Sequence, residues 1–470
     1  MFLERLYDDM LAQASYLIGC ERSGHAIVID PNRDADAYMS LAGRMHLRIV
    51  YVAETHIHAD FVSGARELAD RSGAALLLSG HGEGDWAYRM TGRSVCDGDE
   101  VAVGDVSLVV RHTPGHTPEH IAFVVTDHAS SDRPVGMLSG DFIFVGDVGR
   151  PDLLERAANA AGSADVLARR LFRSIRATTS LPDFLQIWPG HGAGSACGKS
   201  LGALPSTTLG YERVANWAFQ IGDEEAFVRG ALAGQSTPPP YFARMKVINR
   251  DGAPLREPGP LPALGPSELQ AVMDRGAVAV DARGSAQYAA EHIPRTLNLP
   301  FGSSFLTWAG WLVPYDRDIV LLADDQERVG RARQALSLIG LDRVVGFGRA
   351  ELRAAWRTDI GPLGRIAQLD ITSLAADRDR VIVDVRNDAE WAAGHLPDAR
   401  HLFLGDLAAR AGELPRDTPI ALHCGGGTRS AIAASMLHAR GFTNVANATG
   451  GFRAWEAAGL PIVREHDRHA

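Results

Sequence analysis

Thr55-His56-Ile57-His58-Ala59-Asp60-Phe61 follows closely on Arg48-Ile49-Val50-Tyr51-Val52. The latter run is apolar and β-branched, the composition of a buried strand, so two imidazoles and a carboxylate arrive together at a strand's end. That set of side chains at that spacing points to a metal site. Two further stretches have the same form. Ser107-Leu108-Val109-Val110 reads as a strand and leads into His112-Thr113-Pro114-Gly115-His116-Thr117, where proline and glycine force a turn that aims His116. Asp141 ends Val135-Gly136-Met137-Leu138-Ser139-Gly140, another short apolar run. His56, His116 and Asp141 are therefore expected to converge from three strand ends, with His58 open to either a ligand or a structural role. For His112, His120 and His128 a hydrogen-bonded structural role is expected.

The set His-x-His-x-Asp, Thr-Pro-Gly-His-Thr and Ser-Gly-Asp, in this order, resembles the metallo-β-lactamase fold. The resemblance implies an αββα sandwich over residues 1–240, and the local pattern agrees: strand-like Ala26-Ile27-Val28-Ile29-Asp30, helix-like Ser63 to Ser72, strand-like Ala75-Leu76-Leu77-Leu78. Two-zinc hydrolases of this fold follow the first aspartate with a histidine. Here that position is Phe61, which has no donor atom, so a dinuclear site is disfavoured. Gly140-Asp141-Phe142-Ile143-Phe144-Val145-Gly146-Asp147-Val148-Gly149-Arg150-Pro151-Asp152-Leu153 is more similar to the persulfide dioxygenases. That family resemblance implies one mononuclear Fe(II) held by His56, His116 and Asp141, a facial triad with open positions for a persulfide sulfur and O2. It also implies that His191, in Trp188-Pro189-Gly190-His191-Gly192, lines the pocket and binds substrate. Arg150 is a candidate to neutralise a substrate carboxylate or the developing sulfite, with a surface ion pair as the alternative.

Four cysteines, Cys20, Cys96, Cys197 and Cys424, form no Cys-x-x-Cys pair, which argues against a disulfide framework or a structural zinc site and fits a reducing compartment. Cys197 precedes Gly198 and lies near Lys199. It reads either as a thiolate activated by that cation in a mobile loop or as a small buried hydrophobe. Core packing is the expectation for Cys20 and Cys96. The chain of 470 residues exceeds one hydrophobic core. Its 46% hydrophobic and 22% charged residues are ordinary for globular domains. A formal charge of -10 argues against nucleic-acid and anionic-membrane partners. The opening Met1-Phe2-Leu3-Glu4-Arg5 has neither a basic n-region nor an unbroken apolar h-region, and no uncharged apolar stretch is long enough to span a bilayer, so a cytoplasmic location is expected.

Tyr211 to Phe219 has helical spacing and is expected to close the first domain. Ser236-Thr237-Pro238-Pro239-Pro240 and Pro254 through Pro266 read as a proline-rich crossing between domains. Beyond it a pattern repeats: Val278-Ala279-Val280-Asp281-Ala282-Arg283 with Glu291-His292-Ile293-Pro294, then Val381-Ile382-Val383-Asp384-Val385-Arg386 with Gly394-His395-Leu396-Pro397. Both copies resemble the rhodanese module, an α/β domain with a parallel sheet, over residues 262–358 and 365–466. The second contains Ala421-Leu422-His423-Cys424-Gly425-Gly426-Gly427-Thr428-Arg429-Ser430, a strand that delivers a cysteine into a glycine-rich loop opening a helix. Backbone N–H groups of Gly425, Gly426, Gly427 and Thr428, the helix N-terminus and Arg429 suit a thiolate or persulfide anion. The resemblance implies that Cys424 carries sulfane sulfur. In the first copy Asp324 stands near the cysteine position and cannot do so. A polar tail, 464–470, is expected to fray.

The whole therefore reads as an α/β multidomain chain, a persulfide dioxygenase fused to a degenerate and an intact rhodanese domain. It is expected to oxidise a low-molecular-weight persulfide such as glutathione persulfide with O2 to sulfite and free thiol, with Cys424 moving sulfur to or from thiosulfate. Linkage in one chain raises the effective concentration of the shared intermediate, with Cys197 as a relay. A homo-oligomer is expected. The alternatives are a zinc-dependent hydrolase of glutathione thioesters and a non-oxidative sulfur carrier.

Overall fold

The computed structural model describes residues 1–153, 155, 162–256, 259–377 and 379–464. Of the tail expected to fray, residues 465–470 lie outside them. The chain divides into two compact units, Met1–Pro258 with Ser337–Gly340, and Gly259–Leu336 with Leu341–Ala470.

In the first unit, near-continuous apolar runs become strands because both of their faces are covered. Along Gln13–Cys20 and His25–Ile29, Tyr16, Ile18, Ile27 and Ile29 enter one core while Leu17, Ala26 and Val28 enter another, as the two-residue period of a strand requires. One sheet runs in the order Phe2–Asp8, Gln13–Cys20, His25–Ile29, Arg48–Ala53, Ala75–Ser79, Arg93–Val95. The other runs Thr207–Thr208, Gln186–Pro189, Gly136–Gly140, Ile121–Asp127, Val106–His112, Glu100–Val103. Ile29 and Leu77 from the first share a core with Leu108, Phe123 and Leu138 from the second. Helices Ala35–Arg44 and Ala65–Ser72 cover the outer face of the first sheet through Tyr38, Leu41 and Leu68. Ser163–Ala177 and Glu224–Leu232 cover the second through Leu171, Ile175, Phe227 and Val228. This is the expected αββα sandwich.

The helices expected across Tyr211–Phe219 are Leu209–Ala215 and Trp217–Gln220. Asn216 separates them: its side chain accepts from Ala218 N at 3.0 Å and donates to Asp147 O at 2.9 Å and Glu212 Oε2 at 2.8 Å, a capping arrangement incompatible with a continuous helix. Between the two proline-rich stretches, helix Phe242–Asp251 buries Phe242, Met245 and Asn249 within the first unit. Asn249 Nδ2 donates to His58 O and Phe61 O, both at 2.7 Å, so this helix holds the His56–Phe61 loop.

The second unit contains two parallel sheets, one of Leu297–Asn298, Val278–Asp281, Ile319–Leu322 and Val344–Gly348, the other of Ala367–Leu369, Val445–Ala448, Ile420–His423, Val381–Asp384 and Arg400–His401. In each repeat a buried Asp–Arg pair locks the strand end: Arg283 Nη2 reaches Asp281 at 2.6 Å and Glu291 O at 3.0 Å, and Arg386 Nη2 reaches Asp384 at 2.7 Å and Gly394 O at 2.7 Å. Among the described residues no helix is long and apolar enough to cross a membrane.

Candidate metal centre and cysteine loop

The candidate metal centre is assembled from strand ends. Arg48–Ala53 pairs in parallel with His25–Ile29 and Ala75–Ser79, and Gly136–Gly140 pairs in parallel with Gln186–Pro189. His56 follows strand Arg48–Ala53, Asp141 follows Gly136–Gly140 and His191 follows Gln186–Pro189, while His116 sits in the turn between Val106–His112 and Ile121–Asp127. Gly140 has φ +52° and an added Cβ would lie 2.5 Å from Thr55 Oγ1, so glycine permits the strand end to bend against Thr55. The outcome is one buried cluster in which a ligand atom from each of His56, His116 and Asp141 lies within 4.8 Å of the others.

Neighbouring groups determine which ring nitrogen faces the cluster. Thr55 Oγ1 donates its single proton to Asp30 Oδ2 at 2.8 Å, so it accepts from His56 Nδ1 at 2.9 Å. His116 Nδ1 donates to the carbonyl of Arg150 at 3.0 Å. Both histidines thus present Nε2 as a lone pair. These atoms lie 3.9 Å (His56) and 3.5 Å (His116) from Asp141 Oδ2. His56 Nε2 and Asp141 Oδ2 are buried without hydrogen-bond partners. Orphaned lone pairs in a closed site are costly unless a cation fills them, and two imidazoles with one carboxylate are a fitting donor set. Burial depresses the basicity of His56 and His116. It would raise the Asp141 carboxyl, but His191, His56 and His116 outweigh it and hold that group well below its ordinary value.

The other motif residues fall differently. His58 turns away from the triad: its Nε2 lies 3.2 Å from Asp30 Oδ1 and 3.1 Å from Glu54 Oε2. His191 bridges two carboxylates, with Nδ1 2.7 Å from Asp141 Oδ1 and Nε2 2.8 Å from Asp60 Oδ2. Both nitrogens therefore donate, and the two carboxylates overcome burial to raise its pKa to about 10. Phe61 is buried and contributes no donor, yet a second donor group, Asp60, His191 and Cys197, stands within 4.8 Å ligand-atom spacing.

The structure separates the two readings of Cys197 and corrects the expectation for Arg150. Cys197 is 1% exposed, and burial followed by Asp60 and Asp141 pushes its thiol well above the usual value. Lys199 does not activate it: Nζ donates to Gly230 O at 2.6 Å and sits 4.0 Å from the Trp217 ring centroid. Arg150 is neither a surface ion pair nor free for substrate. Its buried guanidinium grips both oxygens of Asp152 at 2.8 Å and reaches Ala196 O at 3.3 Å.

In the second unit, strand Ile420–His423 ends at Cys424 and helix Thr428–Ala439 begins four residues later. Gly427, at φ +104°, lets the loop turn so that its N–H donates to Cys424 Sγ at 3.1 Å, with Ser430 Oγ at 3.5 Å. Gly426 and Thr428 are exposed at the rim, and Gly425 is partly exposed. Arg429 is held bidentate by Glu390 at 2.6 and 2.7 Å. In the first repeat the strand register puts Ala323 in the place of Cys424, and the next residue, Asp324, has Gln287 Nε2 at 3.3 Å and Arg353 Nη1 at 3.5 Å.

The metallo-beta-lactamase superfamily signature matches residues 8–191 and the rhodanese-like domain signature matches 265–347 and 370–458. A crystal structure of a metallo-beta-lactamase from Staphylococcus aureus superposes with a TM-score of 0.68 at 42% identity, covering 74% of this chain and 99% of that one. The chain belongs to the metallo-β-lactamase superfamily. Its two repeats are rhodanese-like domains. The persulfide dioxygenase ETHE1 of Bos taurus is 28% identical over 199 residues, 41% of this chain and 68% of that protein. A sulfurtransferase of Allochromatium vinosum is 40% identical over 90 residues, 19% of this chain and 84% of that protein.

In this metallo-β-lactamase–rhodanese fusion, several supporting residues escaped the sequence reading. Asp30 accepts from Thr55 N at 2.6 Å as well as from its hydroxyl. The signal was present, since Asp30 ends an apolar strand just as Asp141 does. His120, read as structural, accepts the Asp141 N–H at 3.1 Å and so orients that ligand. Cys96 is exposed, contrary to the core role expected, whereas Cys20 is buried. Gly149 is a further determinant: a Cβ there would lie 1.9 Å from Asp141 O and 3.0 Å from His116 Cβ. Gly149→Ala is expected to cost about 1–3 kcal/mol of stability and to lower metal content. Thermal unfolding and metal quantification check this, and a variant unchanged in both would show that the Asp141 carbonyl moves freely.

Proposed function

We propose that this protein is a non-heme iron persulfide dioxygenase coupled to a sulfurtransferase. The observation that carries the reading is the closed set of His56 Nε2, His116 Nε2 and Asp141 Oδ2, two of these atoms without partners, beside a chain that also presents Cys424 to Gly427 N–H. A mononuclear Fe(II) bound by those three residues would supply the redox chemistry through which O2 oxidises a sulfane sulfur. The chain's part is positional. Thr55 and the Arg150 carbonyl hold the two imidazoles in one tautomer, His120 fixes the backbone of Asp141, and His191 shares the carboxylate charge of Asp60 and Asp141. The overall change converts a thiol persulfide, O2 and one water to the free thiol, sulfite and two protons. Glutathione persulfide is the proposed substrate, with Cys424 moving sulfane sulfur to or from thiosulfate.

The test is oxygen uptake by anaerobically purified, iron-loaded protein given glutathione persulfide, with sulfite and thiosulfate quantified together. Uptake with iron and none with zinc is the expected result. No uptake with any persulfide, or activity that requires zinc, overturns the dioxygenase assignment. The second donor group, Asp60, His191 and Cys197, favours one other reading, a two-zinc hydrolase of glutathione thioesters. Two tightly bound zinc ions with thioester hydrolysis would support it. One iron per chain and no hydrolysis would exclude it.

A further inference from the structure

The Cys424 loop carries a charge arrangement that bears on which sulfur donor it accepts. Arg429, on the helix that opens behind the cysteine, is the cation of this loop that faces the sulfur. It is not a free charge. Both oxygens of Glu390 hold it, and an added Cβ on Gly425 would lie 3.1 Å from Arg429 Nη2 and 3.7 Å from Glu390 Oε1, so the ion pair lies against the mouth of the loop. Arg386, the next buried guanidinium, is committed to Asp384.

Glu390 is placed there by its own helix. It is the third residue of Asp388–Ala393 and forms a capping box with Asn387, accepting from Asn387 N at 3.3 Å while its own N–H donates to Asn387 Oδ1 at 2.8 Å. The first repeat preserves the placement with a different residue. Gln287 holds the matching position in the capping box of Ser285–Ala290 and turns its amide to Asp324, the residue after Ala323, which by strand register stands in the cysteine's place. In both repeats, then, this side chain addresses the loop, and the acid occurs in the repeat that has the thiol.

Resting on the sulfurtransferase reading above, we propose that Glu390 sets donor specificity at Cys424. By clamping and neutralising Arg429, it leaves backbone N–H groups and the helix N-terminus as the positive field around the sulfur. That field suits the single charge of a thiol persulfide better than the two charges that thiosulfate concentrates in a small anion. Loading is an exchange without net oxidation: the Cys424 thiolate attacks the outer sulfur of the donor, the donor's S–S bond breaks, and an S–S bond to Cys424 forms. The donor leaves as a thiolate, or as sulfite when thiosulfate is used. Glu390 acts here through Arg429, as a positioning residue.

The full-length protein is loaded anaerobically, so that oxidation is silent, with thiosulfate or glutathione persulfide over a range of concentrations, and the persulfide on Cys424 is followed by mass spectrometry. Wild type is expected to load more efficiently from glutathione persulfide. Glu390→Gln keeps an N3 residue able to cap the helix and frees Arg429. It is expected to improve loading from thiosulfate about tenfold, through a lower half-saturating concentration with the limiting rate little changed, and to alter persulfide loading less than about threefold. Adding Arg429→Gln to that variant is expected to remove the gain. An unchanged donor ratio in Glu390→Gln, or an equal fall with both donors, overturns the inference while leaving the sulfurtransferase assignment intact. If wild-type Cys424 takes up sulfur from neither donor, that assignment falls and the inference with it.

Discussion

His116→Ala is expected to lower metal affinity by more than about 100-fold and to remove oxygen uptake with persulfide, while Cys424 still accepts sulfur. The reason is geometric. His116 supplies one of three converging donor atoms, and the remaining two, His56 Nε2 and Asp141 Oδ2, lie 3.9 Å apart, while the other motif histidine, His58, is drawn off to Asp30 and Glu54. Alanine also removes the Nδ1 bond to the Arg150 carbonyl, which tethers the turn to the loop after Asp141. Metal content after dialysis, oxygen-electrode traces and sulfur loading of Cys424 form the test. Full oxygen uptake by the variant would refute the assigned ligand set.

Cys424→Ser is expected to reduce sulfur transfer to background while oxygen uptake persists. A serine hydroxyl remains protonated at neutral pH and forms no persulfide, so the loop keeps its shape and loses its carrier. If transfer runs from persulfide to nascent sulfite, the product shifts from thiosulfate to sulfite in the variant. If it runs from thiosulfate towards the candidate metal site, thiosulfate-supported oxygen uptake disappears instead. Transfer at wild-type rates would show that another thiol carries the sulfur, and Cys197 would be next to replace.

Much of this arrangement was legible in the chain because it is local. Strand ends followed by His56, His116 and Asp141 mark the candidate metal site, since an apolar run and the polar residue after it are neighbours in sequence and stay neighbours in the fold. The same holds for Cys424, whose strand, glycine loop and helix are consecutive. The Asp-x-Arg pairs that lock each repeat are two residues apart.

Only the tertiary structure decided how the charges are shared. Lys199 is two residues from Cys197, yet its ammonium rests on Trp217, whereas Asp60, far away in sequence, stands beside the thiol. Arg150 looks available to a substrate until Asp152 and Ala196 are seen to hold it. His58 belongs to the motif but answers to Asp30, 28 residues earlier, while Arg429 answers to Glu390, 39 residues away. Long side chains pair with whatever opposite charge folding brings within hydrogen-bond reach, and burial makes that pairing obligatory. Sequence therefore determined which groups are delivered to each site, and packing determined which of them remain free to act.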